Sequence, residues 1–430
     1  MTPDLHRRLI AISLGLYFVA TWCSMAGMEI FGWLTFLLTT IYAVRRVRGA
    51  ISFRDLSPYL PWKSCLLLLV ITILGVAINA VKPEVVYDIG AQRWMILLAT
   101  SSLAIALCPP GFKGYRFFLF FISVTAVYAV FQSVTGIDLI RPGSHRAVPS
   151  LNGTTAPWRS AGWSGSPLQY GYIAGMHVCL PLAMVLLTYK QKRTWIFWCS
   201  LAAVVLVGAS IITTFTRGAW IAMACAWFVM ALIAAPRVAA LLTIAGITLT
   251  GAAATLSETF RLRLFSLIDP TYTSNSERWF LWKANWEMFK DYPILGLGYS
   301  ENENRAGEYV TRMGKPDAFK GHAHNNYLQF LSGTGITGLI TYLFIISFML
   351  YITYRLWRSL PKDAIWPRAI ALGALGAQIH LHVGGFTECN FKAGATNHNV
   401  MMVWALVIAM SALNAKRKLP SFNELSAVPN

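Results

Sequence analysis

Long apolar runs, rather than strict alternation, set the pattern of this 430-residue chain. Twelve stretches are mostly apolar, near 8–22, 27–44, 64–80, 92–108, 115–134, 168–188, 194–214, 218–235, 238–255, 327–354, 366–384 and 398–414. A run of about 20 such residues matches the roughly 30 Å of bilayer hydrocarbon, where a helix satisfies its own backbone. The pattern predicts an all-α integral membrane protein with twelve spans in a single polytopic domain, 1–430. Most connections are short, but two are long: 135–167, rich in Gly, Pro and Ser, and 256–326, which is charged and aromatic. Loops beyond about 15 residues are usually functional or disordered. In the second, "SERWFLWKANWEMF" (276–289) spaces Trp279, Trp282, Trp286 and Phe289 by three and four. That spacing predicts an amphipathic helix lying on the membrane or capping a cavity.

Composition agrees: 56% of residues are hydrophobic and 13% charged, where a soluble protein has about 25% charged. The net charge of +18 would suit nucleic acid, but its distribution excludes that reading. With both termini cytoplasmic, that side carries 20 Lys/Arg against 4 Asp/Glu and the other 16 against 14, which accounts for all 36 and 18. "RRVRG" from Arg45, "KQKR" from Lys190 and "KRK" from Lys416 give the sharpest contrast. This is the positive-inside rule, and it turns both long loops outward. Arg7 and Arg8 before an apolar run resemble a signal peptide, but no small-residue cleavage site follows, so a retained first helix is expected. The seven cysteines contain no C-x-x-C and imply no disulfide framework.

Candidate chemistry gathers in "GHAHNNYLQFLSGTGITGL" (321–339). Gly333, Gly335 and Gly338 fit G-x-G-x-x-G, but they fall inside an apolar span with no acidic residue about 20 positions on. Close approach between membrane helices explains them better. His322 and His324, or His380 and His382, could be metal ligands. Helical positions i and i+2 point about 200° apart, so the second pair cannot share an ion. No D-x-D occurs in the chain, and no metal is expected. The remaining reading makes His324 a general base at the membrane edge, with His322 as the rival base. Asn325 or Asn326 would cap the helix that follows, whose N-terminus suits an anion. A histidine can accept a hydroxyl proton near neutral pH; the alternative is a loop histidine held by hydrogen bonds.

Arginines on the outer side favour the chemical reading. Arg217 lies in "TTFTRGAW" where two spans meet, Arg278 on the amphipathic segment, and Arg159 in "WRSAGWSG". An arginine at bilayer depth costs about 2.5–3.5 kcal/mol on insertion scales and needs a partner or ligand. Guanidinium forks match phosphate oxygens. In "HVGGFTECNFKAGATNHN" (382–399), Glu388, Lys392 and His398 add polar groups. Glu388 could orient a base or an acceptor sugar, although the ordinary reading is an i,i+4 ion pair with Lys392.

Together "TRGAW", "SERWFLWKANWEMFKDYPILGLGYSENEN" and "HAHNNYLQFLSGTGITGL" resemble the bacterial O-antigen ligase and polymerase superfamily. Its order of features appears as Arg217, Arg278, the D-x-P-x-x-G-x-G turn from Asp291 to Gly298, and His324–Asn325. "RSAGWSGSPLQYG" resembles its earlier periplasmic segment, with Arg159 at the basic position. The resemblance implies a metal-independent, cofactor-free, inverting glycosyltransferase of the GT-C type in the bacterial inner membrane, its active site periplasmic. It implies a glycan donor on undecaprenyl pyrophosphate held by Arg217, Arg278 and Arg159, and a lipid A–core acceptor activated by His324. Asn325, His322 and Glu388 would support that site. The ligase pattern H-N-x₉-G-x-x-T ends here on Gly338, with Thr337 one place earlier, which keeps a polymerase or a protein O-oligosaccharyltransferase as alternatives. A transporter of lipid-linked glycan is the rival from another class; it would favour inverted repeats and ionisable residues at mid-membrane.

Overall fold

The computed structural model describes residues 2–45, 50–79, 92–142, 158–189, 195–269, 271–314 and 321–419. The basic runs 46–48 and 190–193, and much of the 135–167 loop, lie outside the described residues. The described residues form helices and no strand. All twelve expected stretches are helical. Among the described residues eight helices are long and apolar enough to cross a membrane, or nine if the pair Phe53–Tyr59 and Trp62–Ile78, bent by 76°, counts as one span. Twelve spans therefore exceed what length and apolarity alone give: Trp94–Leu107, for example, has only 14 residues. The chain is a multi-pass membrane protein.

Helix boundaries follow local chemistry. Ser24 separates the first two helices by one residue, and its hydroxyl accepts from the Gly27 amide at 3.0 Å. Ser166 caps Pro167–His177 in the same way, with proline at the first helical position. The innermost helices are Pro167–Thr188, Ile365–Gly384 and Gly394–Ala415. Small residues let them approach closely: a Cβ on Gly373 would lie 2.8 Å from the Leu180 backbone. Interior polar groups pair with each other, as where Gln378 donates to Thr353 at 2.8 Å and accepts from the Trp404 indole at 3.2 Å. By contrast Pro236–Leu256 is almost wholly exposed along its length.

The long loop between 256 and 326 folds into helices Glu258–Phe265, Thr273–Asp291 and Glu301–Arg312. Leu281, Ala284, Met288, Leu297, Tyr309 and Val310 give it a small core of its own. Trp279 and Trp286 are about half exposed, so the aromatic stripe is the outer face and Leu281, Ala284, Asn285 and Met288 the inner one. That inner face docks through amides, since Asn285 accepts from the Ser332 hydroxyl at 2.6 Å and Asn302 donates to it at 2.7 Å.

A second contact fixes the loop more firmly. The helix Asn326–Ser359 is broken at Gly335, where φ is 67° and ψ −171°. The turn 293–298 fills the break: Leu297 and Gly298 donate to the carbonyls of Ser332 and Gly333, and the Ile336 amide donates to Pro293 at 2.9 Å. A Cβ on Gly335 would stand 2.2 Å from the Ile294 carbonyl oxygen, and one on Gly296 2.4 Å from the Gly333 backbone. The glycines expected to admit a neighbouring helix thus admit a turn. Thr337 donates its hydroxyl to Ile294 at 2.6 Å, while a Cβ at Gly338 would meet Thr334.

Candidate functional site

The segment His322–Asn326 enters this broken helix through a strained corner. His324 has φ 46°, a left-handed value that a histidine adopts at a cost of about 1–3 kcal/mol. The corner is held from both sides. Asn325 caps the helix, accepting from the Tyr327 and Leu328 amides at 2.9 and 3.0 Å, and donates its side-chain amide to the Phe386 carbonyl at 3.0 Å. The Asn326 amide donates to Gly385 at 2.7 Å. These bonds tie the corner to the turn after Ile365–Gly384, which carries Glu388.

Glu388 is buried, and both of its oxygens lie 3.0 Å from His324 Nδ1. Burial works to raise its carboxyl pKa, but the His324 hydrogen bond and the charges of His324, His322 and Arg278 outweigh it and bring it below the ordinary value. An ionised carboxylate only accepts, so His324 Nδ1 carries the proton that faces it, and in the neutral ring Nε2 is the accepting nitrogen. His322 is arranged differently. Its Nδ1 accepts from the His324 amide at 3.2 Å, and its Nε2 faces Glu388 at 3.7 Å. Burial, then the neighbouring His324, lowers its pKa against the pull of Glu388. His322 therefore uses its lone pair on the backbone, whereas His324 directs its own away from Glu388. Lys392 pairs with Glu303 at 2.8 Å, so the expected Glu388–Lys392 pair does not form. His398 lies elsewhere, 2.7 Å from the Tyr17 hydroxyl inside the bundle.

Next to His324 is a cavity of about 250 Å³ lined by Arg159, Arg217, Arg263 and Arg278. Arg217 donates to the Ser266 hydroxyl at 3.0 Å, to the Ser266 carbonyl and to Asn275 Oδ1 at 2.8 Å, and its guanidinium lies over the Tyr272 ring. Arg263 donates to the Phe215 carbonyl at 3.2 and 3.3 Å. Arg159 donates to the Thr214 carbonyl at 2.9 Å. Phe215 itself adopts φ 52°, a second non-glycine corner, where the chain turns into the helix opening at Arg217. Among the described residues neither Arg217 nor Arg263 has a carboxylate within ion-pair distance. Both are nearly buried and held by neutral oxygens, which orient them without cancelling their charge. Burial lowers the Arg263 pKa, Tyr272 opposes that, and Arg278 adds to it. Such a cluster of cations is built for an anion. Arg278 reaches from it to Glu388 at 3.7 Å and joins the two halves of the site.

The structure thus brings Arg159, Arg217, Arg278, His324, Asn325, His322 and Glu388 to one place. Sequence reasoning missed Arg263, for which the signal was an arginine pair in the apolar "FRLRLF"; Arg261 faces out and Arg263 in. It also missed the neutral partners Ser266 and Asn275. Ligand atoms of His322, His324 and Glu388 lie within 4.8 Å of one another, a grouping that could hold a metal ion. The Arg278 guanidinium on the same carboxylate and the His324 hydrogen bond across it favour a histidine–carboxylate dyad instead.

Residues 202–343 match the family model for O-antigen ligase. That segment holds Arg217, Arg263, Arg278, His322 and His324 and ends before Glu388. Over it, the resemblance read from the sequence holds. No curated protein matches the chain. A solved chain reported under "Structural coordination of polymerization and crosslinking by a peptidoglycan synthase complex" superposes at TM-score 0.46 and 14% identity, covering 84% of this chain and 98% of that one.

Proposed function

We propose that this chain, whose residues 202–343 match the O-antigen ligase family model, is a glycosyltransferase of the GT-C type. It moves a glycan from undecaprenyl pyrophosphate to lipid A–core at the outer face of the bacterial inner membrane, with both termini cytoplasmic and both long loops periplasmic. The observation that carries this reading is the cluster of four arginines beside the His324–Glu388 dyad. Arg217, Arg263, Arg278 and Arg159 hold the pyrophosphate. His324 Nε2 takes the proton of the acceptor hydroxyl as its oxygen attacks the anomeric carbon with inversion. The bond from that carbon to the pyrophosphate oxygen breaks, and the pair of electrons leaves with the pyrophosphate. Glu388 keeps Nδ1 protonated and stabilises the imidazolium that forms, the usual role of a carboxylate behind a histidine base. Pyrophosphate is a stable anion, so neither a general acid nor a metal is required; chelator should leave transfer intact, and loss restored by a divalent ion would revive a metal site.

The test is a lipopolysaccharide gel of a deletion strain complemented with wild type or His324→Ala. Bare core in the deletion and the variant, with lipid-linked polymer accumulating, is the result expected. An unchanged ladder would refute it. Core bearing a single repeat unit would mean a polymerase, the reading that Gly338 at the end of the ligase pattern favours.

A further inference from the structure

A second cavity of about 490 Å³, within the roughly 300–1,000 Å³ usual for ligand sites, adjoins the arginine cavity and is lined in part by Glu388. The two share a wall made of Leu168 and Tyr172. Their linings differ in kind. The first carries four guanidiniums, one carboxylate (Glu277) and His324; the second carries Glu303, Lys392, Glu388, His322, Gln169 and Asn390. Glu303 and Lys392 come from distant parts of the chain, the helix Glu301–Arg312 and the turn before Gly394–Ala415. Their ion pair at 2.8 Å is braced by Gln329, which donates to Glu303 Oε1 at 2.9 Å, and by the Tyr299 carbonyl, 3.4 Å from Lys392 Nζ.

We propose that this second cavity binds the acceptor saccharide and that the Glu303–Lys392 pair determines which sugar is accepted; the proposal rests on the transferase reading. Three features support the assignment. A compensated pair beside neutral amides offers donors and acceptors to hydroxyl groups but no net attraction for pyrophosphate, which the arginine cavity supplies. Inversion needs nucleophile and leaving group on opposite sides of the anomeric carbon, and two cavities across one wall provide those sides. The dyad spans that wall, with His324 lining one cavity and Glu388 the other. An acceptor held in the second cavity would extend its reacting hydroxyl past Leu168 and Tyr172 to His324 Nε2, which opens on the arginine cavity.

The experiment uses the full chain in lipid nanodiscs with undecaprenyl-pyrophosphate-linked glycan as donor and core oligosaccharide as acceptor. Equilibrium binding of undecaprenyl pyrophosphate is the second readout and reports folding of each variant. Glu303→Gln and Lys392→Met should each raise the acceptor KM about tenfold or more, the effect of losing a hydrogen bond to a charged group, with undecaprenyl pyrophosphate affinity unchanged. Ala393→Trp, which fills the cavity and leaves the pair intact, should do the same and covers the case in which breaking the pair unfolds the protein. Arg217→Ala should show the opposite split. If wild type transfers and these variants keep the acceptor KM within twofold, or weaken undecaprenyl pyrophosphate as Arg217→Ala does, the acceptor assignment is wrong. No transfer by wild type to any saccharide would instead remove the transferase reading beneath it.

Discussion

The chain contains two H-x-H pairs, and their fates differ completely. His322 and His324 sit in a corner outside the helices, rings 4.1 Å apart, both turned toward one carboxylate. His380 and His382 lie within Ile365–Gly384, where helical geometry sends their rings apart. The His380 ring presses on Gly175, where a Cβ would stand 2.2 Å from Nε2. Both ring nitrogens of His382 lack a hydrogen-bond partner among the described residues. The same three-letter motif is a coupled pair in one place and two separate packing groups in the other. What decides is backbone conformation: the left-handed turn at His324 lets i and i+2 converge, which an α-helix forbids.

The comparison breaks most directly at His324. His324→Ala should cut transfer by about 10²–10⁴-fold with protein level in the membrane unchanged, the range for losing a general base; quantified transfer in membranes checks it. Arg217→Ala should raise the donor KM about 10- to 100-fold, more than it destabilises the protein, measured by titrating donor against the variant. Normal turnover there would remove Arg217 from the site. Glu388→Gln should lower kcat by a similar 10- to 100-fold while donor KM holds, because the amide cannot stabilise an imidazolium.

Acidification sharpens the contrast through stability. His322 has its pKa lowered by folding, so the unfolded chain binds more protons below about 6.5 and stability falls as pH drops through that range. The Glu388 carboxyl is also lowered; its stabilisation is complete above about 4.5 and is lost as pH falls through its folded value. Thermal melts should therefore weaken in two stages on acidification, and His322→Gln should reduce the upper one. The smallest effect belongs to the other pair. His382→Leu should leave activity within about twofold and hold or raise the melting temperature, since it removes a buried polar ring that makes no hydrogen bond.

Much of this was legible in advance, for identifiable reasons. Membrane helices announce themselves by apolar length, so all twelve stretches were found as helices. Arg217 stood out because a charge at the end of a span needs a reason, and Arg278 because it stands on the amphipathic segment. Glu388 was harder: its neighbour Lys392 at i+4 offered a local partner, and only the fold shows Lys392 drawn to Glu303, 89 positions away. Arg263 was hidden because its inward aim depends on where a short loop helix docks. The aromatic stripe of 276–289 was read correctly as one face, but the apolar face that packs inward is the one bearing Leu281, Ala284 and Met288.

The break at Gly335 has a consequence for biogenesis. Interrupting Asn326–Ser359 strips the carbonyls of Ser332 and Gly333 of their usual partners, and the amides of the 293–298 turn supply new ones. Bare backbone groups at bilayer depth are costly, so this span cannot reach its final form until the turn is in place. The ribosome makes the turn first, and it must wait for a helix not yet made. Docking the loop thus follows synthesis of that helix, and a protease with access to the loop should cut between 293 and 298 only in chains arrested before it.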